Sequence, residues 1–158
     1  MIFLSDEEYM REALKEAMAA AAVGEVPIGA VLVLNGEIIA RARNEIEGRQ
    51  RASSHAEMLA LELGSVRLAN WRLLGATLYS TLEPCPMCAG AMLQFRIARL
   101  VYGAPDLRFG AAGSLFDLFA LPHPTHSLEV KGGVLAEPAA ELMRDFFRSR
   151  RKEPRRRE

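Results

Sequence analysis

Residues 28–43 read Ile28-Gly29-Ala30-Val31-Leu32-Val33-Leu34-Asn35-Gly36-Glu37-Ile38-Ile39-Ala40-Arg41-Ala42-Arg43. Branched apolar residues suit a pleated chain, and Asn-Gly supplies the positive-φ positions of a tight two-residue turn. The stretch is therefore a β-hairpin. Its first arm is apolar almost without interruption, which marks a strand covered on both faces. That arm alone points to a sheet sandwiched between helices.

Working outward, Ser5 followed by Glu8 is a capping-box pattern. Tyr9, Ala13, Leu14, Ala17, Met18 and Ala21 then recur at helical spacing, so the first helix is expected over 6–23. After the hairpin, Asn44 closes the second strand and a polar loop covers 45–53. Ser53 or Ser54 is expected to cap a second helix running to about residue 68, with His55 in its first turn. Trp71 is expected to pack where that helix leaves for a third strand over 76–82. Glu83-Pro84 ends the strand, and Cys85 and Cys88 fall in the first turn of a third helix. A fourth strand over 98–103, a Gly/Ala loop over 106–114, a helical turn over 115–119 and a weak strand over 128–130 follow. Glu137-Pro138 opens the last helix. This order gives one α/β domain over residues 1–153, a three-layer α/β/α arrangement with a mixed five-stranded sheet. Residues 154–158 read as a disordered basic tail.

With 158 residues, half of them apolar and a quarter charged, the chain can bury a sizeable core. The longest apolar run, Ala17 to Val23, is too short to span a bilayer. No membrane partner is expected. Two closely spaced cysteines used as metal ligands argue for a reducing, cytoplasmic setting. Formal charge is zero overall, yet seven basic residues (Arg148, Arg150, Arg151, Lys152, Arg155, Arg156, Arg157) face only Glu153 and Glu158 at the C-terminus. A basic end on an acidic body suits an anionic partner, though a solvated terminus would look the same.

The chemistry sits in Ser54-His55-Ala56-Glu57 and Pro84-Cys85-Pro86-Met87-Cys88. One imidazole and two thiols three residues apart are ligands of the kind zinc takes, and three of them leave a tetrahedral corner for water. The two other histidines, His123 and His126, lie in a Pro-containing loop and read as ordinary loop residues. Should the first and third strands leave the sheet on the same side, the starts of the second and third helices converge on one ion. Zinc lowers the pKa of bound water from about 15.7 toward about 7, roughly 12 kcal/mol toward hydroxide at neutral pH. Glu57, beside His55, is the candidate catalytic residue that shuttles the proton without binding the metal. Cys-x-x-Cys by itself also fits a redox pair or half of a closed site; joined to His-x-Glu it points to an open, catalytic zinc.

His55-Ala56-Glu57 with Pro84-Cys85-x-x-Cys88 resembles the zinc nucleobase deaminases, and within them the bacterial tRNA-specific adenosine deaminases. The resemblance covers nearly the whole chain, including 26–31, 76–79, 81–85, 87–92, 110–115 and 145–148. It implies a homodimeric hydrolase with one Zn²⁺ per subunit that converts adenosine to inosine at the wobble position of a tRNA anticodon stem-loop, by hydroxide attack on C6. It further implies that Asn44 contacts the substrate nucleoside. Pro27, the Ala56 N–H and the Glu83-Pro84 turn would line the pocket, and Asp106 would lie in a loop that meets the anticodon. Phe147, Arg148, Arg150 and Arg151 would face RNA. The chain departs from the family pattern at Arg43, Ser54 and Thr125. Two alternatives stay open: a guanine or cytidine deaminase of free bases or nucleosides, and an RNA-binding module whose zinc is only structural.

Overall fold

The computed structural model describes residues 3–153. The expected disorder of 154–158 lies outside them. Within that range the elements are α1 (Asp6–Ala22), β1 (Gly29–Leu34), β2 (Glu37–Arg43), α2 (Ile46–Arg49), α3 (Ala56–Leu68), β3 (Thr77–Leu82), α4 (Pro86–Gln94), β4 (Arg99–Ala104), β5 (Glu129–Lys131) and α5 (Ala136–Arg151). A single 3₁₀ turn, Leu118–Ala120, precedes β5. The sheet order is β2-β1-β3-β4-β5. β1 is antiparallel to β2 and to β3, whereas β3, β4 and β5 run parallel. The expected mixed five-stranded sheet is therefore present.

Period-two alternation sorts the strand residues into two cores. Ala30, Leu32, Leu78 and Leu100 point to the side of α3 and α4, where Leu61, Met92 and Ile97 are fully buried. Val31, Val33, Tyr79 and Val101 point the other way, onto Tyr9, Met10 and Ala13 of α1. Alongside α1, α5 packs on β3 and β4. Each of these large apolar side chains contributes about 1.5–3 kcal/mol by leaving water. Helix α1 lies close to the sheet beside Gly29 because Ala13 and Ala17 face it there. A Cβ on Gly29 would stand 2.5 Å from the Ala17 nitrogen and nearer still to the Ala13 carbonyl.

The start of α1 is fixed twice. The Ser5 hydroxyl accepts from the Glu8 N–H at 3.2 Å, and the Glu8 carboxylate accepts from the Ser5 N–H at 2.7 Å, completing the capping box. Asp6, one residue on, accepts from both terminal nitrogens of the Arg99 guanidinium at 2.8 Å, from Lys131 at 2.9 Å and from the Tyr79 hydroxyl at 2.7 Å. One carboxylate thus joins the helix to β3, β4 and β5.

Several expectations need correcting. The loop after β2 contains the helical turn α2, closed by Gln50 in the left-handed region (φ 52°). The helical turn expected over 115–119 forms at Leu118–Ala120, where Asp117 accepts from the Phe119 and Ala120 N–H groups. Trp71 is not packed inside: it is 51% exposed, with the Arg72 guanidinium 4.2 Å from its ring centre. The first and third strands do not leave the sheet together, because β1 and β3 are antiparallel.

Candidate metal centre and cleft

The convergence of ligands comes from a different strand pair. Because β2 and β3 are each antiparallel to β1, they run the same way, and α3 and α4 start at the same edge of the sheet. His55 is the N-cap of α3 and Cys85 the N-cap of α4, both with extended backbone (ψ 148° and 171°). Neither lies inside the first turn, as the spacing had suggested. Pro86 takes the first helical position of α4, where its missing N–H costs nothing. Ser53 and Ser54 do not cap α3. Instead the Asn44 side-chain oxygen accepts the Ala56 N–H at 2.9 Å, from the end of β2.

The His55 Nδ1 stands 3.6 Å from the Cys85 sulfur and 3.4 Å from that of Cys88. With metal–sulfur bonds of about 2.3 Å and metal–nitrogen bonds of about 2.0–2.1 Å, a tetrahedral ion sets its nitrogen and sulfur ligands about 3.5 Å apart. The three donors thus have the spacing a zinc ion requires. Among the described residues, this is the group of histidine, cysteine and carboxylate side chains close enough to share an ion.

Electrostatics agree. The hydrogen bond from the Cys88 thiol to Cys85 draws the Cys85 pKa down to about 4 and drives that of Cys88 upward. The hydrogen bond with Cys85 also raises the pKa of His55. Glu57, the second residue of α3, is 4% exposed, and burial pushes its carboxyl above the usual carboxylate range. Its Oε1 is buried with no partner in the protein. A buried orphan oxygen beside three metal donors suits a site built to hold a water.

These groups open onto a cleft of about 690 Å³. Of the residues expected from sequence, Asn44, His55, Glu57, Glu83, Cys85, Asp106 and Phe147 line it. Pro27 is fully buried, and its neighbours Val26 and Ile28 form the wall instead. Ala56 and Pro84 are buried behind the lining. With its oxygen committed to Ala56, Asn44 turns its amide NH₂ to the cleft with no partner among the described residues. Arg148, Arg150 and Arg151 are not among the lining residues. Arg148 pairs with Asp145 at 3.4 Å. Arg150 donates to the Gly24 carbonyl and lies 4.9 Å from the Phe146 ring centre.

Sequence reasoning missed two walls. Ala140, Met143 and Arg144 join the expected Phe147 on one face of α5 and close one side. Their i, i+3, i+4, i+7 spacing is visible in the sequence, but which surface it covers is not. Leu107, Arg108 and Phe109 form another, and no local pattern marks them. His123 and His126 bond backbone carbonyls, those of Leu118 at 2.7 Å and Ile97 at 2.6 Å.

The family of MafB19-like deaminases matches residues 4–151. The tRNA-specific adenosine deaminase of Bacillus subtilis (strain 168) is 53% identical over 147 residues, spanning 93% of this chain and 91% of the relative. A solved structure from work on A-to-I editing by tRNA:A34 deaminases at the wobble position superposes with a TM-score of 0.82. It is 43% identical and covers 85% of this chain and 98% of that one. A guanine deaminase from Nitrosomonas europaea, 24% identical with a TM-score of 0.77 over 92% of this chain and 86% of its own, shares the fold.

Proposed function

The chain belongs to the MafB19-like deaminase family, and from that membership we propose that it hydrolyses adenosine to inosine at the wobble position of tRNA, releasing ammonia. The observation that carries the chemistry is the three-donor cluster with a buried Glu57 carboxylate beside it, one of whose oxygens has no protein partner. His55, Cys85 and Cys88 would hold one zinc ion, which when bound supplies a water acidified toward neutral pH. Glu57 is placed to draw a proton from a water and return it to the nitrogen that leaves C6. The free amide of Asn44 offers a donor to the sugar, and Asp106 to Phe109 meet the flanking bases.

The substrate is the anticodon stem-loop, with Arg108 at the cleft and Arg151 beyond it as cations for its phosphates, while Arg144 at the cleft must first exchange its Glu137 partner at 2.6 Å. The working unit is a homodimer. Met87, Leu115, Phe116 and Leu121 are 39–59% exposed, apolar surface of the kind a second copy covers. No described helix is long and apolar enough to cross a membrane. Both cysteines are free, which suits a reducing cytoplasm.

The competing reading is a deaminase of free bases or nucleosides, and a substrate panel separates the two. Zinc-loaded protein is given an anticodon stem-loop with adenosine at the wobble position, and separately adenosine, guanine and cytidine. The stem-loop should exceed each free compound by at least about 10³-fold in kcat/KM. A free compound turned over as well as the stem-loop would overturn the assignment.

A further inference from the structure

Glu83 is 1% exposed and sits between β3 and the metal-site cysteines. Its two oxygens are both committed. Oε1 accepts from the Asp106 N–H at 3.0 Å and from the Ser114 hydroxyl. Oε2 accepts from the Ala112 N–H at 3.0 Å and the Ser114 N–H at 3.1 Å. All four donors belong to one loop, the segment after β4 that carries Leu107, Arg108 and Phe109 into the cleft wall. The neighbouring Pro84 carbonyl accepts from the Ala111 N–H at 2.9 Å. The loop folds tightly over the carboxylate: a Cβ on Gly110 would meet Asp106 O at 2.4 Å and would press on Glu83 Oε2.

Within the tip the Asp106 carboxylate accepts from the Arg108 and Phe109 N–H groups at 3.0 and 3.2 Å, and the Asp106 carbonyl accepts from the Gly110 N–H at 2.8 Å; these bonds shape the turn but do not tie it to the sheet, as Glu83 does. Leu107 and Phe109 are 79% and 61% exposed, so apolar packing does not position them. Loops with few buried contacts open readily unless hydrogen bonds hold them. A buried carboxylate with four donors is the strong kind of hydrogen-bond centre, and removing one oxygen leaves donors unmatched.

We propose that Glu83 is a positioning residue: at the cleft lining, with both oxygens committed to the loop, it clamps the 106–114 loop so that the Asp106–Phe109 wall stands at a fixed distance from the metal donors. This deepens the deaminase reading and rests on it for its kinetic arm. In Glu83→Gln the amide NH₂ must face either two backbone N–H groups or the Asp106 N–H. One edge of the clamp is then lost while the size and the sequence around Cys85 are kept. Gly110→Ala attacks the same clamp from the loop side, and Ser114→Ala removes only the hydroxyl.

The test uses the full zinc-loaded chain with an anticodon stem-loop, together with hydrogen exchange. Expected for Glu83→Gln are zinc content at one per chain, KM raised at least tenfold, kcat within about threefold of the parent, and faster exchange confined to 105–116. Gly110→Ala should reproduce this pattern, the double variant should be no worse than the stronger single one, and Ser114→Ala should show a smaller shift of the same kind. Unchanged exchange and KM in Glu83→Gln and Gly110→Ala would overturn the proposal, as would loss of zinc or a fall in kcat at constant KM. If the parent protein converts no stem-loop at all, the deaminase reading fails, while the exchange result still decides whether the clamp exists.

Discussion

Glu57 illustrates at the residue scale why function and stability oppose each other in this cleft. A carboxylate with a buried, unpartnered oxygen costs folding free energy, and its position beside the three metal donors explains why that cost is carried. Glu57→Gln should keep one zinc per chain, lower kcat by about 10²–10⁴-fold and leave the melting temperature equal or higher. A variant that loses its metal, or keeps its rate, would remove Glu57 from the proton transfer. Cys88→Ser should reduce zinc to well under one per chain and lower the melting temperature, because metal binding is coupled to folding. Metal analysis and calorimetry check both. At this scale the sequence was informative about which side chains meet: the His55, Cys85 and Cys88 donor cluster and the buried Glu57 are marked by His55-Ala56-Glu57 and Cys85-x-x-Cys88. Their cap positions were not, since they depend on Asn44, eleven residues upstream of His55, supplying the hydrogen bond that Ser53 or Ser54 was expected to give.

At the scale of elements, the Asp6 cluster makes the clearest prediction. Hydrogen bonds from Arg99, with Lys131 and Tyr79 adding to them, hold the Asp6 carboxyl well below the usual carboxylate range despite partial burial. A depressed folded pKa contributes stability above the unfolded value of about 3.9, which is lost as pH falls below it. Asp6→Asn should therefore cost about 1.5–3 kcal/mol at pH 7, and the gap to the parent should narrow steadily below about pH 4. A gap independent of pH, measured by denaturant unfolding, would contradict this. The hairpin, the capping box and the helix periodicities were all legible because each is a local pattern. Strand direction was not: nothing in residues 28–43 or 76–82 says that β3 joins β1 antiparallel. The correct reason for convergence, parallel β2 and β3, appears only with the register. Trp71 was misplaced for a similar reason, because an aromatic ring flanked by Arg72 and Arg96 can satisfy itself at the surface.

The whole molecule adds a wall and a charge. The sequence announced α5 as a basic terminal helix, and its other face closes the cleft through Met143, Arg144 and Phe147, a contact between the two ends of the fold that no local pattern reveals. With about five net positive charges after residue 147, stem-loop binding should weaken with salt at a log–log slope near −3 to −4, taking about −0.7 per phosphate. A slope near zero in a titration from low to moderate salt would return the tail to solvent. Arg148 and Arg150, held by Asp145 and the Gly24 carbonyl, can engage RNA only by exchanging those partners. The most direct measurement of the whole proposal is inosine mapping in an anticodon stem-loop after incubation with zinc-loaded protein, run beside Glu57→Ala. The expected result is a single inosine at the wobble position, absent with the variant; no inosine from the parent, or equal conversion by Glu57→Ala, would contradict it.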